Sequence, residues 1–398
     1  MKKPVFCKKL ICEPVQDNPW AGKMVLNPAM IADKENPDTL YMLFRATGAF
    51  LPEFRLPGKP LPYPIFLGFA VSHDRGESWD FDFSRPALAP TLKYEQNEIF
   101  IINSKGEKVF NYANGCIEDP RLFYFENDLY LSVACRAFPP GPYWDHDDPV
   151  QCMPDWVKYS DIGRAVKENY TVSLLYKVDL EELANRRYEK AFTFVTPLHE
   201  PDTSDDRDVM LFPRRINING KSKIVCIHRP KYPWKYDIGE DLISPSIFFA
   251  SAENLEDFAD NEKVERIVFA IPEYEWENNR IGASFPPIEL EKGEWLLPYH
   301  GKQDDRTGYT QSFMLLKENG TLQMDIISRP AERLLFADES WELEGEFTIP
   351  CLFSCSGICH PDGKLYIGYG AADKKIGIAS VDFQELLTYL RKNHNNRE

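Results

Sequence analysis

GCIEDPRLFYF (Gly115–Phe125), followed at once by ENDLYLSVACRA (Glu126–Ala137), reads as two apolar runs about a polar turn, with Glu118, Asp119 and Arg121 crowded around Pro120 at the start of the first run. Alternating aromatic and β-branched residues with a turn between them predict paired antiparallel strands. The same unit recurs. Its second run returns as NPDTLYMLFRA (36–46), NGKSKIVCIHRP (219–230), KGEWLLPYHG (292–301) and DGKLYIGYGA (362–371). A strand precedes each: NPAMIA, EDPRLFYF, LFPRRINI, FPPIEL and CSGICH, four of them with proline near the start, where a missing amide donor is tolerated. A third strand follows each: IFLGFAVSHD, TVSLLYKVDL, SIFFASAENL, YTQSFMLLKE and KIGIASVDF.

From Tyr41 to Tyr130, Val225, Leu296 and Tyr366 the middle strands are 89, 95, 71 and 70 residues apart, and Pro-rich insertions account for the excess over an ordinary blade. Repeated meanders without helical crossovers predict an all-β fold, a five-bladed β-propeller forming one domain over 1–398, with a double β-sandwich as the alternative. DFQELLTYLRKNHNNRE at the end predicts a short C-terminal helix with a structural role.

In a propeller blade the start of the first strand and the end of the second lie on one face. Asp119 starts a first strand, and Arg45, Arg136, His228 and His300 end second strands in four blades, so these residues are expected to meet at one axial mouth. The insertions TGAFLPEFRLPGKPLPYP (47–64) and AFPPGPYWDHDDPVQCMPDWVKYSDIGRAVKENY (137–170) leave from the same ends and would wall it with Pro, Trp and Tyr, as suits a sugar pocket. Asp119 is the candidate general acid, its pKa expected to be raised by apolar surroundings. The alternative is a turn in which Asp119 caps amides while Glu118 pairs with Arg121.

Lys+Arg 46 against Asp+Glu 62 gives a net charge of −16, which repels nucleic acid and anionic membranes, so a cationic cluster inside such a chain implies a small anionic ligand. Without an apolar run long enough for a signal peptide or membrane span, the expected location is cytoplasmic. The nine Cys lack CxxC spacing, so free thiols are expected and neither a disulfide framework nor a metal site.

NGCIEDPRLF, LFPRRI with CIHRP, RIGASFPPIELEKGEWLLPYHG and LYIGYGAADKKIGIASVDFQELL, in order between about Asn27 and Leu387, resemble glycoside hydrolase family 130, the β-mannoside phosphorylases and related β-mannosidases. The resemblance implies a five-bladed propeller and single-displacement cleavage of a β-mannosidic bond with inversion. Asp119 of the EDPR motif would deliver its proton through a sugar hydroxyl. Inorganic phosphate would be the co-substrate, α-mannose 1-phosphate the product, and no cofactor or metal would be needed. Arg136 matches a phosphate-binding Arg; His228 and Arg229 are further candidates, with Arg45, Arg121 and His300 beside them, while Asn27 and Asp208 suit sugar hydroxyls. Asn27 occupies the Asp119 position of the first blade and Asp208 lies just before the third.

Two departures keep a hydrolase open. Tyr176 stands where some phosphorylases carry a second phosphate-binding Arg, and Glu289 where many relatives carry Lys or Arg. A β-mannosidase would need a glutamate to activate water, and Glu273, Glu275, Glu277 and Glu289 are the candidates. A non-catalytic sugar-binding propeller is the remaining alternative. The expected partners are a mannose-containing oligosaccharide and phosphate, with a homo-oligomer left open.

Overall fold

The computed structural model describes residues 2–48, 63–140, 154–231, 245–303, 308–345 and 350–393. Five antiparallel sheets follow one another along the chain in a five-bladed β-propeller. Blade one is Met24–Ala32, Leu40–Thr47, Phe66–Ser72 and Asp80–Asp82; blade two is Cys116–Phe125, Asp128–Arg136, Val172–Val178 and Phe192–Pro197. Blade three comprises Asp205–Leu211 with Ile216–Ile218, then Lys221–Lys231, Ile247–Ala252 and Glu265–Ala270. Blade four comprises Arg280–Ala283 with Ile288–Glu291, then Glu294–Lys302, Tyr309–Lys317 and Asp325–Ser328. Blade five joins Leu352–Cys359, Lys364–Ala371 and Lys375–Asp382 to an outer strand from the other end of the chain, Cys7–Cys12, which pairs from Cys7 with Ser380 to Cys12 with Ile376. That N-terminal strand closes the ring and covers an edge that would otherwise present unpaired backbone groups.

The inner strands differ from the sequence reading in two blades. LFPRRINI is not one strand: the inner strand of blade three begins six residues earlier, at Asp205, and breaks at Phe212–Arg215 before resuming at Ile216. FPPIEL likewise follows a break, the inner strand of blade four starting at Arg280. Pro213, Pro286 and Pro287 therefore mark interruptions in inner strands and not their starts, because a proline cannot donate to the ladder. Asp208 accordingly lies inside its strand. Pro28 and Pro120 sit in β-bulges, where the register skips from Leu26 to Ala29 and from Glu118 to Arg121.

Apolar residues from neighbouring blades fill the space between them. Trp295 of blade four is fully buried, its ring edge-on to Phe212 at 5.0 Å, under the Arg214 guanidinium at 4.9 Å, with its indole N–H donated to Glu318 at 2.9 Å. The C-terminal helix Phe383–Lys392 starts where Asp382 accepts from the Glu385 amide and packs Leu386, Leu387 and Leu390 against blades four and five; the expected residues 394–398 lie outside the described residues. Trp295→Ala removes the largest side chain of the interface between blades three and four, and it is expected to lower unfolding free energy by about 3–5 kcal/mol in urea titration. An unchanged midpoint would show that these blades are not held by that contact.

Candidate active site

Three polar side chains reach the axis through the same backbone device. Asn27, Asp119 and Asp208 hold corresponding places on the inner strands of blades one, two and three, each at a register skip and each with left-handed backbone, at φ 50°, 53° and 58°. Asn and Asp are the side chains that adopt this region most readily apart from Gly, and a bulge there re-aims a side chain out of the strand alternation. Blade four supplies Gly282, where a Cβ would stand 2.3 Å from Asp208 Oδ2 and 2.7 Å from His300 Nε2, so only glycine leaves room for that pair.

Asp208 is the hub of blades two, three and four. Its Oδ1 accepts from Arg121 Nη2 at 3.0 Å, and its Oδ2 accepts from Arg229 Nε at 2.5 Å with His300 Nε2 at 3.3 Å. Burial alone would raise the Asp208 carboxyl, but Arg229, His300 and Arg121 outweigh it and hold it well below the usual carboxylate range. Burial lowers His300. Arg121 is almost fully buried and has all three kinds of nitrogen engaged, the others donating to Ser284 O at 3.0 Å and Asp119 O at 3.1 Å. Next door, His228 Nδ1 lies 2.7 Å from Asp206 Oδ2, which fixes the ring's orientation, and the Arg229 amide donates to Asp206 Oδ1.

A second cluster lies toward blades one and two. Arg45 Nη1 meets both Glu118 Oε2 at 2.9 Å and Asp119 Oδ1 at 3.0 Å, while Asn27 Nδ2 donates to Asp119 Oδ1 at 2.7 Å. Arg136 Nε and Arg207 Nη1 stand 4.0 and 3.9 Å from Glu118 Oε1, and Arg207 Nε is 3.9 Å from Asp205. Glu118 thus sits among three guanidiniums. Arg136 Nη1 donates to Asn169 O at 2.7 Å. The buried Nε groups of Arg45 and Arg136 and the buried Oδ1 of Asn27 have no hydrogen-bond partner among the described residues. Two donors and one acceptor therefore keep hydrogen-bonding capacity that the described residues leave unused.

The Asp119 carboxyl differs from expectation. Burial pushes it up, but Arg45, Arg121, the Asn27 amide and Arg207 together hold it below its ordinary value, so in the unliganded protein it is a carboxylate and not a raised acid. Glu118 pairs with Arg45 and not with Arg121, which turns instead to Asp208.

All nine residues singled out from sequence fall in these two joined clusters. Sequence reading missed Glu118 as their anionic centre and missed Arg207, Asp205 and Asp206, although DDRDVM is an unusually charged run for an inner strand. It also missed Asp373, on a turn where Ala372 and Asp373 are both left-handed, at φ 53° and 50°. Burial raises the Asp373 carboxyl, with Arg45, Asp119 and Lys302 as its charged neighbours. The glutamates considered as a hydrolytic base are engaged on blade four: Glu277 with Arg329 at 2.6 Å and Tyr299 at 2.8 Å, Glu273 with Arg329, Glu275 with Gln303, and Glu289 with Arg214. Tyr176 is buried in the core of blade two against Phe194. Of the two insertions, Tyr63 N donates to Pro140 O at 3.0 Å, joining them beside the site, whereas Trp156 packs away from it on Phe138 and Tyr94; 49–62 and 141–153 lie outside the described residues.

A family model described as β-1,4-mannooligosaccharide phosphorylase matches residues 165–392. The chain belongs to this family. A 1,2-β-oligomannan phosphorylase from Thermoanaerobacter sp. (strain X514) is 24% identical over 378 residues, 95% of this chain and 96% of that protein. A β-1,4-mannooligosaccharide phosphorylase from Ruminococcus albus is 28% identical over 192 residues, 48% of this chain and 52% of its own length. Among solved structures, a β-1,2-mannobiose phosphorylase from Listeria innocua in complex with β-1,2-mannobiose has the same fold, with a TM-score of 0.61 at 18% identity over 96% of this chain and 95% of that one. This member of the family is an enzyme acting on glycosides, a phosphorylase or a related hydrolase. No described helix is long and apolar enough to cross a membrane.

Asp208 and Asp205 are both held below their ordinary values, so the stability they contribute is present above the unfolded carboxylate value of about 3.9 and is lost as pH falls from about 5 toward the folded values. Asp208→Asn strips the countercharge from two buried guanidiniums and is expected to cost about 3–5 kcal/mol at neutral pH while flattening the acid limb of stability against pH. An acid limb as steep as that of the wild type would remove Asp208 from this role.

Proposed function

We propose that the protein is an inverting β-mannoside phosphorylase that cleaves a mannose-containing oligosaccharide with inorganic phosphate and releases α-mannose 1-phosphate. The observation that carries this reading is the gathering of Arg45, Arg136 and Arg207 around Glu118, one residue from Asp119. Planar guanidiniums with unspent N–H donors suit a tetrahedral dianion held for in-line attack, and an acid beside them suits the departing oxygen. The glutamates considered as a water-activating base, Glu273, Glu275, Glu277 and Glu289, are already bonded to Arg329, Gln303, Tyr299 and Arg214.

In this reading Arg136 and Arg207 hold phosphate, Arg45 bridges phosphate and Asp119, and Asn27 Oδ1 and Asp373 accept hydroxyls of the mannosyl ring. Arg121, Asp208, Arg229 and His300 act as positioning residues, with Asp206 orienting His228. A phosphate oxygen forms the new bond to the anomeric carbon as the bond to the aglycone breaks. The electron pair leaves on the aglycone oxygen, which takes the Asp119 proton by way of a sugar hydroxyl. Phosphate's own proton is released from the product, so no net proton is consumed. No metal or organic cofactor enters, and EDTA should leave the rate unchanged; recovery by a divalent ion after its loss would contradict this.

Incubation of β-1,2- and β-1,4-mannobiose with and without phosphate tests the reading directly. Mannose 1-phosphate should form only with phosphate, and free mannose at an undiminished rate in its absence would establish a hydrolase instead. Asp119→Asn should slow turnover by about 10²–10⁴-fold without unfolding the protein. Arg136→Ala should raise the KM for phosphate about 10- to 150-fold, well beyond its effect on the KM for the mannoside, from the loss of a charge-assisted bond worth about 1.5–3 kcal/mol. Equal effects on both constants would take Arg136 out of the phosphate site.

A further inference from the structure

The resting charge state of the site poses a problem for catalysis. Asp119 must hold a proton when the glycosidic bond breaks, yet it is bonded to the Arg45 guanidinium and the Asn27 amide, both of which favour its anion. Among the described residues, Arg45 meets both Glu118 and Asp119 through one nitrogen, Nη1. The salt-bridged cluster is balanced among the described residues, with the cations Arg45, Arg136 and Arg207 against the anions Glu118, Asp119 and Asp205. Whatever dianion enters this neutral cluster competes with Glu118 and Asp119 for the same guanidiniums. It leaves two buried carboxylates with too little positive charge.

We propose that binding of a dianion to the Arg45, Arg136 and Arg207 guanidiniums draws one proton from solvent onto Asp119, so that loading the nucleophile is what converts the carboxylate into the acid. This rests on the phosphorolytic reading and deepens it. Asp119 is the acceptor because it loses its nearest cation, Arg45, to the incoming anion and keeps a neutral amide at 2.7 Å and an Arg121 guanidinium that is bonded to its carbonyl and shared with Asp208, in a buried place that then favours the uncharged form more than before. Glu118 is the positioning residue. It spaces the three guanidiniums before any anion arrives, and it competes with that anion for the same N–H donors.

The other charged or titratable groups facing the pair act around this exchange. Tyr63 lies beside Arg45 and Glu118, Cys116 beside Glu118, and Cys355 of blade five beside Asp119 and Arg121. Asp373 with Lys302 lies on the side of blades four and five. Asp208, Arg229 and His300 form the closed set behind Arg121. Burial pushes the two thiols up, so they stay neutral. Arg121 keeps its bond to Asp208 throughout, because its nitrogens are spent on the protein.

Sulfate is the probe, as a dianion without a titrating proton. Calorimetric titration of the full chain with sulfate at pH 6, in two buffers of different ionisation enthalpy, counts protons taken up. The wild type should take up between about half a proton and one, with affinity rising toward tenfold per unit fall in pH. Asp119→Asn should bind sulfate with uptake near zero and a flat pH profile. Glu118→Gln should bind sulfate more tightly at pH 8 and take up fewer protons at pH 6.

Wild-type binding whose heat is the same in both buffers would overturn the linkage, as would Asp119→Asn retaining the wild-type uptake. Failure of sulfate and phosphate to bind at all would overturn the anion site, and the phosphorolytic reading with it. Proton-linked sulfate binding together with turnover that ignores phosphate would sink that reading alone and leave the linkage standing.

Discussion

The buried guanidinium of Arg121 is the contact on which the axis depends. From blade two it donates to the carbonyl of Asp119 in its own strand, to the carboxylate of Asp208 in blade three and to the carbonyl of Ser284 in blade four, and it lies 5.9 Å from the ring centroid of Phe353 at the edge of blade five. Ser356 Oγ of blade five donates to Pro28 O at 2.7 Å, and Asn27 of blade one bonds Asp119, so one polar circuit touches every blade. Hydrophobic packing between neighbouring blades is non-directional and would tolerate small slips. Fork-shaped, charge-assisted hydrogen bonds would not, and they set the distances between side chains that belong to different blades.

Such an axis is costly to build. Each buried guanidinium or carboxylate loses its hydration, and only full pairing makes that tolerable. The two clusters meet the requirement differently. Behind Arg121, Asp208 is shared by Arg121, Arg229 and His300 at hydrogen-bond or near hydrogen-bond distances, a closed arrangement that resists titration and entry. Toward blades one and two, Arg136 and Arg207 stand about an ångström too far from Glu118 to bond it well, at 4.0 and 3.9 Å, and Nε donors are left over. Looseness in that half is what the proposed anion would use, and rigidity in the other half would keep it aimed.

How much of this was legible follows from which signals are local. Asn27 and Asp119 could be found because a polar residue before proline inside an apolar run has little structural use except at a bulge. Arg45, Arg136, His228 and His300 could be found because a meander repeated in phase brings equivalent strand ends to one face. Asp208 was recognised but set before its strand, since Pro213 drew the strand start too far along the chain. The centring of three arginines on Glu118 could not be read. Its partners Arg45 and Arg207 lie 73 and 89 positions away in blades one and three, and nothing in the motif distinguishes an ion pair with Arg121 from one across blades. Cys7–Cys12 was missed for a similar reason, its partner strand lying at the far end of the chain.

The left-handed bulges connect this legibility to chemistry. Each re-aims a polar side chain out of the strand alternation, and does so in a region of backbone that asparagine and aspartate tolerate and most residues do not. Two of the three bulge side chains, Asn27 and Asp119, bond one another directly; the third, Asp208, reaches Asp119 only through Arg121, which bonds the carbonyl of one and the carboxylate of the other. The position of the Asp119 carboxyl is therefore determined from both sides, while the largest of the charges that favour its anion comes from Arg45, whose Nε remains uncommitted among the described residues. In the proposed linkage, groups bonded to the protein on both sides hold Asp119 in place while Arg45 remains open to exchange, so an incoming anion would change the proton on Asp119 without moving it.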